Sequence, residues 1–72
     1  MLDLFLTSPD GSGHLFNVQT DIKKGKLVFV ITELRWNEAK QENDETKQPA
    51  LNPGGFAEWI ETKQKEGWKI QK

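Results

Sequence analysis

Cysteine is absent from this 72-residue chain, so neither a disulfide nor a thiolate metal site can staple it. The lone histidine, His14, cannot build a histidine-rich metal site either. Long apolar runs are missing too: none approaches the roughly 18 residues of a membrane span. Neither sign of charge dominates. Ten Lys and Arg stand against 11 Asp and Glu, for a net charge of −1, so the chain carries no overall field that seeks a polyanion. The opening MLDLFLTSPDG lacks a basic n-region, and Asp3 interrupts its apolar stretch. It therefore reads as something other than a signal peptide, and the chain as cytoplasmic.

A chain this short forms one domain and buries only about 60% of the surface its unfolded form exposes. Small domains of this kind are commonly stapled by a disulfide, a metal or a partner. With the first two excluded on composition, a partner or unusually efficient packing remains.

What is present alternates. Leu2, Leu4 and Leu6 oppose Asp3, Phe5 and Thr7, the period-two pattern of a strand. SPDGSG, residues 8–13, carries the proline, aspartate and glycines of a turn. Residues 14–21 alternate again, with Phe16 and Val18 against Leu15 and Asn17. A bend at Gly25 leads into KLVFVITELRW, residues 26–36, dense in β-branched and aromatic side chains. Its first half is apolar on both faces, as expected of a strand in the middle of a sheet. Residues 37–51, NEAKQENDETKQPAL, have almost nothing to bury and read as a flexible polar loop, with a short solvated helix as the alternative.

The last segment has the clearest punctuation. Asn52 suits an N-cap and Pro53 the first helical position. Phe56, Trp59 and Ile60 form one apolar stripe, and Glu61 and Lys65 a favourable i, i+4 pair. Gly67 stands where a left-handed residue ends a helix, and Trp68 and Ile70 begin a short strand. The fold expected is a small single α+β domain. It has a mainly antiparallel sheet of about four strands, in the order β-β-β-loop-α-β, with one helix packed on one face.

Several patterns invite a chemical reading and resist it. Gly54 and Gly55 stand at a helix start, but the lysine and Ser/Thr of a phosphate loop are missing, and Glu58, expected in the first turn, would repel a phosphate. KGKLVFVI starts like the basic-Gly-aromatic strand of an RNA-recognition motif, yet Lys26 stands where the aromatic belongs. Ser8, Asp10, Ser12 and His14 share one exposed loop, better explained as a turn than as a hydrolytic triad. Glu42, Asp44 and Glu45 lack calcium-loop spacing. The chain thus reads as non-enzymatic, with no catalytic residue, cofactor or metal assigned.

The informative feature is an apolar surplus. With Leu2, Leu4, Leu6, Phe16, Val18, Val28, Val30, Trp68 and Ile70 placed under the helix, Phe5, Leu15, Leu27, Phe29 and Ile31 remain for the opposite face. One helix covers one face, and an uncovered apolar face marks an interface. The function expected is an interaction module that forms a homo-oligomer or binds a protein partner through these residues and Trp36, with no membrane role. The alternative is nucleic-acid contact through Lys23, Lys24 and Lys26 together with Trp36.

Overall fold

Strand propensity and turn chemistry build most of the chain into one antiparallel sheet. In the computed structural model, which describes residues 3–71, the elements in chain order are β1 (Asp3–Thr7), β2 (Leu15–Lys23), β3 (Lys26–Asn37), β4 (Glu42–Lys47), α1 (Pro53–Lys65) and β5 (Lys69–Gln71). The sheet has five strands in the order β4-β3-β2-β1-β5. The α+β class holds, with one strand more than expected. β3 lies inside the sheet, but β2 occupies its middle. Leu2, assigned above to the first strand, falls outside the described residues.

The β2–β3 turn sets the register that decides the core. Lys23 pairs with Lys26 across a two-residue loop of Lys24 and Gly25, whose φ values are +52° and +75°. Two positive φ angles make a type I′ turn, the one whose twist matches a hairpin. That short loop places even-numbered β2 residues opposite odd-numbered β3 residues: Val18 faces Ile31, Phe16 faces Glu33 and Thr20 faces Phe29. Directly opposed residues share a face. Phe29 and Ile31 therefore join Phe16 and Val18 under the helix, and Val28 and Val30 go to the other side. This reverses the assignment made from alternation alone. The two faces of β3 are correctly separated there but joined to the wrong faces of its neighbours.

Among the described residues, Leu6, Phe16, Val18 and Ile31 form the buried core. α1 crosses above them. Phe56 stacks on Phe29 with centroids 4.1 Å apart and planes 5° from parallel. Trp59 meets Phe16 edge-on at 5.2 Å. The Lys63 ammonium lies 5.0 Å from the Phe16 ring centroid and 5.7 Å from those of Trp59 and Trp68, so its cation closes this end of the core over three aromatic faces.

The helix termini follow the sequence signals. Asn52 Oδ1 accepts from the Gly55 N–H at 2.7 Å, and Pro53 opens the helix. Glu58, however, lies beyond the first turn, which holds no acidic residue; the cap is provided by Asn52. At the far end Gly67 takes φ +98°, and the Trp68 N–H returns to the Lys63 carbonyl at 3.0 Å. Glu61 and Lys65 pair at 3.2 Å.

Residues 37–51 correct a second expectation. A tight turn with Gln41 at φ +55° leads into β4, which pairs with β3 from Asn37–Glu42 to Thr32–Lys47. Beyond β4 the chain stays on the same edge: the Gln48 N–H reaches the Ile31 carbonyl, and Phe29 and Leu51 exchange both backbone bonds. Every β4 side chain is exposed, so burial plays no part in ordering it. What orders it is the unpaired edge of β3, whose backbone groups need partners. The charges of ENDETK in turn make β4 a poor template for a further strand.

Candidate interaction surface

Removing the helix-side residues from each strand leaves the composition of the other face. Across the sheet it carries Phe5 from β1, Leu15, Asn17 and Gln19 from β2, and Val28, Val30, Thr32, Leu34 and Trp36 from β3. No element of the described chain packs over it. Phe5 is 40% exposed and Trp36 is 44% exposed, while Val28, Val30 and Leu34 are half-buried by their neighbours in the sheet. Phe5, Asn17, Thr32 and Leu34 floor a shallow depression rimmed by Asp3, Glu45 and Lys47. Its polar floor is partly tied down: Asn17 Nδ2 donates to Asp3 Oδ1 at 2.9 Å.

The residues predicted for this surface divide. Phe5, Leu15 and Trp36 lie on the open face. Ile31, 1% exposed, is core, and Phe29 is stacked beneath Phe56. Leu27 is on the helix side but beyond the helix, where it pairs with Ile22 and is 42% exposed. Val28, Val30 and Leu34 were missed as surface residues. The signal that finds them is the KKGK turn: a two-residue loop fixes the pairing, and the pairing fixes the face.

The lysine-rich alternative is also redistributed. Lys23, Lys24 and Lys26 crowd the β2–β3 tip, whereas Trp36 lies near the far end of β3. A strand run from Lys26 to Trp36 spans about 33 Å at roughly 3.3 Å per residue. The cations and the tryptophan therefore do not form one site.

A polar cluster occupies the sheet end near Trp36. Asp10 accepts from the Ser8 hydroxyl and, at 2.9 Å, from the Ser12 N–H. These bonds hold its carboxyl down to about pKa 2, the Ser8 hydroxyl first among the causes. His14 turns away from that loop. Its Nε2 lies 2.6 Å from Glu33 Oε2, and its ring meets Trp68 edge-on. Arg35 reaches the same Glu33 oxygen at 3.5 Å. Glu33 thus has two basic partners at the border of the core, and the serines and Asp10 bond within their own turn.

The total surface is large for the size of the chain. The chain exposes 5176 Å². A monomeric protein of 8.3 kDa exposes roughly 4,600 Å², so the excess is on the order of 600 Å². Among the described residues no helix is long and apolar enough to cross a membrane. No protein family, curated protein or solved structure proves similar to the chain.

Proposed function

We propose that this chain is a non-enzymatic interaction module that docks a protein surface on its open sheet face. One observation supports the reading: no element among the described residues covers the sheet face bearing Phe5, Leu15, Val28, Val30, Leu34 and Trp36. A sheet that buries one apolar face and leaves a second apolar face in water loses the stabilisation the second could contribute. The polar edge strand β4 supports the reading from the side. Its charges discourage growth of the sheet through the edge and leave the face as the adhesive surface.

Site-specific photo-crosslinking tests this. A photoreactive residue at Leu34 should give a protein adduct in the cell that makes the chain, and the same residue at Gln64, on the exposed side of α1, should give none. Absence of any adduct at Leu34, or equal labelling at both positions, would remove the open face as the interaction surface.

A further inference from the structure

The β2–β3 hairpin outruns the rest of the sheet. β1 pairs with β2 only as far as Asp3–Gln19, and the Phe29–Leu51 bridge is the last contact on the outer edge of β3. Beyond the Thr20–Phe29 pair, no strand among the described residues flanks the hairpin on either side. It continues alone as a two-stranded ribbon, closed by the Lys24–Gly25 turn. Ile22 and Leu27 oppose each other on one face of this ribbon. They are 63% and 42% exposed, and the shallow depression they line with Thr20 and Asp21 receives no side chain from α1. Lys23 and Lys26 oppose each other on the reverse face, and Lys24 stands at the apex.

We infer that this tip rests in the surface of an anionic lipid bilayer. Ile22 and Leu27 enter the boundary between headgroups and acyl chains, and the three lysines lie among the lipid phosphates. The inference concerns a different surface from the open sheet face and stands independently of it.

Three observations carry it. The first is that the largest exposed aliphatic side chains and a cluster of cations share one tip. A nucleic-acid backbone takes up lysines but leaves Ile22 and Leu27 in water. An anionic bilayer accommodates both, because lysine stems lie along apolar surface while their ammonium groups stay at the phosphates. The second is charge. Three lysines and one aspartate give residues 21–28 a charge of +2, which leaves −3 on the remainder of the chain. None of the three lysines forms an ion pair among the described residues. The ribbon's one acid, Asp21, accepts from the Ile22 N–H at 2.8 Å. The third is reach. At about 3.3 Å per residue, Lys23 stands roughly 10 Å beyond Thr20, further than the Debye length of about 8 Å at physiological salt. The tip can therefore touch an anionic surface while the repulsion of the acidic body is screened. A spanning run is needed to cross a bilayer, not to rest on one, so the expectation of no membrane role drawn from its absence does not extend to this contact.

Co-sedimentation of the purified chain with vesicles tests this. The vesicles are phosphatidylcholine alone or phosphatidylcholine with phosphatidylserine, and a short DNA duplex is titrated in parallel. Wild type should bind the phosphatidylserine vesicles at low salt at least roughly tenfold more tightly than phosphatidylcholine alone. Ile22→Asp and Lys24→Glu should each weaken that binding about tenfold or more, and Lys65→Glu, an equal charge change on α1, should alter it by less than about threefold. All three substitutions are at exposed positions, and circular dichroism verifies each fold. No vesicle binding by wild type, or equal losses from Lys24→Glu and Lys65→Glu, would overturn the tip as a bilayer contact. Vesicle binding that Ile22→Asp leaves unchanged would overturn insertion of the aliphatic pair. Binding to the duplex without binding to vesicles would assign the lysines to nucleic acid and overturn the proposal. The open-face reading fails separately, on the absence of any photo-adduct at Leu34.

Discussion

Removing side-chain volume from neighbouring residues of β3 tests which face of that strand the helix covers. Ile31 is 1% exposed and opposes Val18, which is fully buried. Ile31→Ala deletes three carbons from that contact. At about 0.8 kcal/mol per buried carbon the transfer loss is near 2.4 kcal/mol, and the unfilled cavity brings the expected cost to about 3–4 kcal/mol. A domain of this length has roughly 4–11 kcal/mol of stability in total, so the variant should sit near the edge of folding. Val30→Ala removes two carbons from the half-buried open face and should cost about 1 kcal/mol or less in the monomer. Urea unfolding followed by tryptophan fluorescence reads both. With a slope of about 1 kcal/mol per molar, Ile31→Ala should lower the midpoint by roughly 3 M and Val30→Ala by less than about 1 M. The samples must be dilute enough that the midpoint no longer depends on protein concentration. The reverse order, or two equal shifts, would refute the register and with it the composition of the open face. The same reasoning expects Phe29→Lys to unfold the chain, because it would put an ammonium under Phe56.

Other consequences are local. A Cβ at Gly67 would lie 3.1 Å from the Pro9 Cβ at a φ of +98°, whereas one at Gly25, φ +75°, would meet nothing. Gly67→Ala should therefore cost more than Gly25→Ala, which should cost about 1 kcal/mol from backbone strain alone, as thermal unfolding of the pair would show. The Asp10 carboxyl should titrate near pH 2 by carbon-detected NMR, and Ser8→Ala should raise that midpoint towards an ordinary aspartate value. Because the folded-state value is the lower one, this loop's contribution is full above about pH 4 and fades as pH falls towards 2. A midpoint near 4 in wild type would contradict the Ser8–Asp10–Ser12 arrangement.

Much of this fold is legible in the sequence where local chemistry determines it. Alternation marks β1, β2 and β3, and Asn52, Pro53 and Gly67 frame α1, because caps and periodicity act within a few residues. Two features escape for different physical reasons. β4 is ordered by the hydrogen-bonding demand of its neighbour, which the composition of residues 42–47 does not reveal. The face of Phe29 and Ile31 depends on the pairing register, which alternation within one strand leaves open. The two-residue turn at Lys24 and Gly25 resolves that register. The apolar surplus read from alternation therefore put Leu27, Phe29 and Ile31 on the face that the register gives to Val28, Val30 and Leu34. The His14–Glu33 contact is a consequence of the same register: His14 shares a face with Phe16, two residues on, and Phe16 lies opposite Glu33.

The most direct test of the central claim is photo-crosslinking from Leu34 beside Gln64 in the cell that makes the chain. Leu34 lies on the open face, away from the core side of β3, so a photoreactive residue there leaves the buried cluster in place. The account predicts a protein adduct at Leu34 and none at Gln64. No adduct at Leu34, or equal labelling at both positions, would show that the open sheet face is not the surface through which this protein binds a partner.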